Sequence, residues 1–226
     1  IVLDWDDTIF PTSWMKAKPW FMDWFITGHQ PKALSDEEVE MLQDLDDTAC
    51  ALFLEAAEYG HICCVTSSKP PWQSSSMHAF LPRLAEVWKD LSVEAKSCMQ
   101  GQPRGKQPKE VIEVQKQRSM TEFLDKFSEG ASVKSLISIG DSDIELNAMQ
   151  RIMSARDREE GKCNVRLKTV RFIQAPSCQG LISELEVLRL WIEGISEADR
   201  DLRVDLRSTE DELQQQHELL VPKRSR

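Results

Sequence analysis

An α/β fold built on a parallel sheet is what this 226-residue chain predicts, on three observations. Short apolar runs end abruptly in polar residues at three places: Ile1-Val2-Leu3 before Asp4, His61-Ile62-Cys63-Cys64-Val65 before Thr66-Ser67-Ser68, and Ser135-Leu136-Ile137-Ser138-Ile139 before Gly140-Asp141-Ser142-Asp143. Such runs, short and without clean alternation, are what strands covered on both faces look like. Between them lie segments with apolar residues at helical spacing, and strand–helix alternation implies parallel pairing in a three-layer, Rossmann-like arrangement.

The elements follow in order. After the first strand, residues 10–60 read as a small helical insert. It opens with an irregular stretch holding Trp14, Trp20, Phe21, Trp24 and Phe25 among prolines and lysines. Ser35 followed by Asp36, Glu37 and Glu38 is an N-cap with an acidic first turn. Val39, Leu42, Leu45, Ala49, Leu52, Phe53 and Ala56 then recur at helical spacing, with Gly60 as a stop. Residues 69–110 read as loop-rich, with Pro70, Pro71 and Ser74-Ser75-Ser76, and an exposed loop at 101–108. A helix is expected within 111–129, with Met120, Phe123, Leu124 and Phe127 on one face, and another from Asp143 to about Met153. Residues 167–173 alternate and suit an edge or near-edge strand.

These elements make one α/β domain over residues 1–178. Residues 179–226 differ. Leu181, Leu185, Leu188, Ile192, Ile195, Leu202, Leu206 and Leu213 follow steps of four and three, with Asp199 and Thr209 at the two missing positions. The spacing predicts one long helix with a heptad seam, packed at first and projecting beyond Asp199. It ends in the basic tail Pro222-Lys223-Arg224-Ser225-Arg226.

Composition narrows the function. The apolar share of 41% allows a packed core, and a net charge of −10 argues against a general nucleic-acid binder. It leaves a phosphorylated substrate open, because a metal ion can supply local positive charge. Cys50, Cys63, Cys64, Cys98, Cys163 and Cys178 form no C-x-x-C pair and read as reduced thiols, hence a reducing compartment. No run is long enough for a membrane span. The chain starts inside an apparent strand without Met and reads as a fragment, in which a targeting peptide would not be visible.

Chemistry concentrates at strand ends. Asp4 and Asp6 are two residues apart on an extended chain and project to the same side. Like charges held that close need a cation or a shared proton, so the pair is a poor device for stability and a good one for holding a divalent cation. Taken alone, Thr66-Ser67-Ser68 is an ordinary loop start and Asp141 an N-cap. Taken together, Asp4/Asp6/Thr8, Thr66/Ser67 and Asp141/Asp143/Glu145 occupy the carboxyl ends of three strands, where open parallel sheets bind ligands. With one lysine they form a set for phosphoryl transfer: an attacking carboxylate, a proton-carrying carboxylate, a metal, and a cation with hydroxyls for the phosphoryl oxygens. His29, His61, His78 and His217 show no ligand spacing.

Here the chain resembles the haloacid dehalogenase superfamily, most of whose members are Mg²⁺-dependent phosphatases, over residues 1 to about 175. Asp4-Trp5-Asp6-Asp7-Thr8 matches its D-x-D-x-T motif, Thr66 its second motif, and Gly140-Asp141 with Asp143 or Glu145 its fourth. The resemblance implies Asp4 as nucleophile and Asp6 as general acid/base. It also implies Thr66, Ser67 and a lysine on the phosphate, and Mg²⁺ among Asp4, the Asp6 backbone carbonyl, Asp141 and Glu145. Lys116, four residues before Met120, fits the third motif; Lys109 and Arg118 compete and Lys106 is more distant. The opening Asp4-Trp5-Asp6-Asp7-Thr8-Ile9-Phe10-Pro11 resembles an uncharacterised branch found in single-celled eukaryotes. Asp7 stands where many relatives have glycine, and Glu145 where Asp is commoner. With no large lid, the resemblance implies a bulky substrate, a phosphoprotein or a large phosphorylated molecule. The alternative is a scaffold or accessory subunit of a larger assembly with little turnover, its partner meeting the Trp14-to-Phe25 segment and the helix over 181–220.

Overall fold

The three apolar runs are strands, and they lie side by side. The computed structural model describes residues 1–28, 34–101, 105, 107–129, 133–159 and 165–221, with residues 156–159 described by backbone alone. The expected tail at 222–226, and His29, Lys106 and Cys163, lie outside the described residues. Strands β1 (Val2–Leu3), β2 (Cys63–Thr66), β3 (Glu94–Ser97), β4 (Ser135–Gly140), β5 (Arg166–Arg171) and β6 (Leu202–Asp205) form one sheet in the order β3-β2-β1-β4-β5-β6. Every pairing is parallel. Val2 lies opposite Cys63 and Ser138, and Leu3 opposite Cys64 and Ile139. Central β1 is thus flanked by the other two apolar runs, as burial on both faces demands.

The helices are α1 (Thr12–Lys16), α2 (Phe21–Thr27), α3 (Asp36–Ala57), α4 (Trp72–Phe80), α5 (Pro82–Asp90), α6 (Lys109–Ser128), α7 (Asp143–Glu159), α8 (Cys178–Glu197) and α9 (Glu210–Leu220). Side-chain alternation along the strands divides the core in two. Leu3, Trp5, Cys64, Ile137, Ile139 and Val170 pack with Leu45, Phe53, Leu84, Trp88, Leu185 and Ile192 from α3, α5 and α8. Val2, Cys63, Val65 and Leu136 pack with Met120, Phe123 and Leu124 of α6 and with Ala148, Met149 and Ile152 of α7. The result is a three-layer, Rossmann-like α/β fold.

Local signals work where they are strong. Ser35 caps α3, its hydroxyl accepting from the Glu38 N–H at 3.2 Å while Glu38 accepts from the Ser35 N–H at 3.0 Å, a reciprocal capping box. β5 is next to the edge rather than on it.

Four expectations need correction. Residues 10–60 are not all insert: α1 and α2 are short, but α3 belongs to the core, forming one layer on the sheet with α5 and α8. Trp20, Phe21 and Trp24 are buried in that core, which removes them from the expected docking segment; Met22, Phe25 and Ile26 remain exposed. Residues 69–110 hold α4, α5 and edge strand β3. The forty-residue helix does not exist: α8 ends at Glu197, the chain crosses the sheet edge as β6, and α9 follows. Leu181, Leu185, Leu188, Ile192 and Ile195 are buried inside the molecule, so this seam is occupied by the chain's own core. Among the described residues, no helix is long and apolar enough to cross a membrane.

Candidate metal and catalytic site

β1 and β4 are neighbours, yet the chain leaves β1 toward β2 on one side and reaches β4 on the other. Such a reversal of strand order opens a crevice at the carboxyl ends, and Asp4 and Asp141 are the residues that directly follow these two strands. Asp4 continues the alternation of β1, so it turns to the face of Val2, which is covered by α6 and α7.

Lys116 comes to meet it. It lies on α6 one turn before Met120, on the helix face that packs on the sheet, and is 1% exposed. Its ammonium nitrogen is 3.0 Å from Asp4 Oδ1 and donates a short hydrogen bond to Glu145 Oε1. Lys109 and Arg118 are exposed, and Arg118 pairs with Glu122 on its own helix. The lysine brought to Asp4 is therefore Lys116.

Oxygens of Asp4, Asp141 and Glu145 lie within 4.8 Å of one another. Glu145 also accepts from Ser142 Oγ at 2.5 Å. Burial works to raise Glu145, but the Lys116 charge and the hydrogen bonds of Lys116 and Ser142 outweigh it and hold its carboxyl below the usual range. Burial likewise opposes the Lys116 charge, but Asp4 and Glu145 outweigh it and keep the amine firmly protonated. Asp4 goes the other way: burial, then Glu145, Asp6 and Asp141, push it well above the carboxylate range against the opposing pull of Lys116. Asp141 rises to about 7, through burial first and then the Glu145 charge. Three acids thus face one ammonium, an arrangement short of positive charge.

The expectation that the Asp4 and Asp6 carboxylates hold a cation together needs correction: the Asp6 side chain is not part of that cluster, because other partners engage both of its oxygens. Its Oδ1 accepts from Thr12 Oγ1 at 2.6 Å and from the indole N–H of Trp72 at 2.7 Å. Its Oδ2 accepts from Ser68 Oγ at 2.6 Å and Thr66 Oγ1 at 3.0 Å. The Thr66 hydroxyl, expected on a phosphate, is therefore engaged with Asp6, and it accepts from the Ser68 N–H in turn. Ser67 stands half-buried at the end of β2.

Asp7 has φ +54°, the left-handed region that favours glycine. It is kept there by its carboxylate, which accepts from the Ser13 N–H at 2.8 Å and the Ser13 hydroxyl at 2.5 Å, tying the loop to the start of α1. Its carboxylate is engaged in this turn and is not a fourth member of the acidic cluster.

The sequence patterns do not single out Trp72, Ser68, Thr12 or Ser142 as site residues. Ser68 follows Thr66 directly and Ser142 follows Asp141, so both stood beside recognised motifs; nothing in the sequence marks Trp72. An apolar cavity of about 310 Å³, bordered by His61, Phe123, Phe127 and Ser135, lies at the opposite, amino-terminal end of the strands and holds none of these groups.

No family model matches this chain, and no curated protein or solved structure matches it significantly.

Proposed function

We propose that the chain is a Mg²⁺-dependent phosphohydrolase of haloacid dehalogenase type, working through an aspartyl-phosphate on Asp4. The observation that carries this reading is the convergence of Asp4, Asp141 and Glu145 within 4.8 Å, with Lys116 Nζ 3.0 Å from Asp4, at the crevice between β1 and β4. A hard divalent cation fits the donor set. The ligand atoms are carboxylate oxygens, and Asp4 Oδ1, although near Lys116, is buried without a hydrogen bond of good angle. Asp4 and Asp141, with the Asp6 backbone carbonyl, would hold it, and Glu145 is tied up chiefly by Lys116. When bound, the cation neutralises phosphoryl oxygens and keeps Asp4 ionised beside them.

The residues divide the chemistry. A carboxylate oxygen of Asp4 forms a bond to phosphorus as the ester P–O bond breaks, and the departing oxygen takes a proton from Asp6. Asp6 then removes a proton from the water that attacks the same phosphorus. The Asp4–phosphorus bond breaks, releasing inorganic phosphate and restoring both carboxyls. Lys116 holds Glu145 and Asp4 in place and offers its charge to the phosphoryl group.

The test is hydrolysis of 4-nitrophenyl phosphate with and without Mg²⁺, with Asp4→Asn beside the wild type. Metal-dependent turnover that falls at least about 10³-fold in Asp4→Asn is expected. Turnover indifferent to Asp4→Asn would sink the mechanism. Absence of both turnover and beryllofluoride binding at Asp4 would turn the reading toward the scaffold.

A further inference from the structure

We infer that Trp72 is a positioning residue for Asp6, fixing which of its two oxygens exchanges a proton with the leaving group; this rests on the phosphohydrolase reading above. Of the four groups on the Asp6 carboxylate, three are hydroxyls, which turn freely between donating and accepting. The fourth is the Trp72 indole N–H, 2.7 Å from Oδ1, which can only donate. Oδ1 is therefore committed as an acceptor. Oδ2 faces Ser68 and Thr66, and the Ser68 hydroxyl can turn to receive a proton placed there. Oδ2 is thus the oxygen that gives the proton to the departing alkoxide and takes one back from water.

The indole is unusually well fixed for this task. Its ring lies 5.8–6.0 Å between centroids from Phe10, Phe21, Trp24 and Phe25. One turn further along α4, Ser76 accepts from the Trp5 indole at 3.0 Å and donates to the Trp72 carbonyl at 2.8 Å. Two adjacent residues of the motif, Trp5 and Asp6, are thereby clamped to one helix face by residues 72 and 76. A helix with no sequence signal of function sets the angle of the proton-carrying carboxylate.

Trp72→Phe keeps the ring and removes only the N–H. A positioned proton donor matters for a poor leaving group and little for a good one. For an alkyl phosphate such as propyl phosphate, kcat is expected to fall roughly 10- to 100-fold with KM little changed. For 4-nitrophenyl phosphate it is expected to stay within about twofold. Trp24→Phe, in the same aromatic cluster, should leave the ratio of the two esters unchanged. Equal losses on both esters, or none on either, overturn the role of Trp72 while leaving the phosphohydrolase reading intact. Absence of Asp4-dependent hydrolysis with either ester overturns that reading and this role with it. A second measurement serves if Trp72→Phe fails to fold: the Trp72 indole N–H resonance of the wild type should shift in Asp6→Asn, and an unmoved resonance overturns the inference.

Discussion

Gly140 and Glu145 illustrate how a single residue type can follow from a neighbour's length. A Cβ built on Gly140 would lie 2.7 Å from Glu145 Cγ and 3.0 Å from its Cδ, because the Glu145 side chain folds across this glycine to reach Lys116. Gly140 is thus required by a close approach, and the longer acid at position 145 creates the requirement. Gly140→Ala is expected to cost about 1–3 kcal/mol, the usual penalty of overpacking a filled site. Shortening the neighbour should relieve it: the loss in Gly140→Ala/Glu145→Asp should be smaller than the sum of the two single losses. Urea unfolding of the four proteins measures this cycle, and simple additivity would show that the two side chains do not collide. Much of the site at this scale is readable without coordinates. Asp4, Asp141 and Glu145 meet where the strand-end pattern puts them; Lys116 was one of three candidates drawn from the resemblance, and the fold brings that one to Asp4. Trp72 was not readable, because its partner Asp6 is distant in sequence and hydrogen bonding by an indole leaves no periodic trace.

At the level of elements, sequence and structure agree where one local signal dominates and part where two periodicities overlap. The capping box and acidic first turn of α3 define its start without help from packing. The stretch after Glu197 satisfies two patterns at once. Leu202, Leu206 and Leu213 continue a heptad, but Leu202-Arg203-Val204-Asp205-Leu206 also alternates strictly, and the strand prevails because β5 offers an edge to pair with. The polar Asp199 in the presumed seam was the warning. β3 was missed for the opposite reason. Glu94-Ala95-Lys96-Ser97 has almost no apolar content, as suits an edge strand guarded by charge; Glu94 pairs with Lys126 and Lys96 with Glu122 on α6. The 69–97 region is organised instead by a contact from outside it. Asp46, buried on α3, accepts from the backbone N–H groups of Arg83 at 2.9 Å and Leu84 at 2.8 Å, capping the start of α5 from another helix. The residue at the N-cap position itself, Leu81, makes no side-chain cap. Asp46→Ala should therefore destabilise the protein by about 1–2 kcal/mol, with amide exchange rising first in α5. A loss confined to α3 would contradict this role.

For the whole molecule, the strand order decides where chemistry can happen and what the remaining chain must do. The central pair β1 and β4 carries the acids, and covering both faces of the sheet around them occupies α3, α5 and α8 on one side and α6 and α7 on the other. β6 and α9 extend the sheet and complete the first of these layers. α9 is joined to α8 by the Trp191 indole, which donates to His217 Nδ1 at 3.1 Å, and by the burial of Leu220. Gly194 permits that contact, since a Cβ there would lie 2.0 Å from the Leu220 carbonyl oxygen. This makes Gly194→Ala a test of the architecture. In a freely projecting helix, replacing a mid-helix glycine by alanine gains about 1 kcal/mol. In the packed arrangement, the same methyl forces α9 away from α8 and should cost about 1–3 kcal/mol. Thermal unfolding distinguishes the two signs, and hydrogen exchange should place the added opening in residues 206–221. The proposed Mg²⁺-dependent turnover would rest on residues at the other end of α8's layer and across the sheet, and on that proposal it should persist below the new unfolding temperature; stabilisation by this substitution would mean that α9 does not dock.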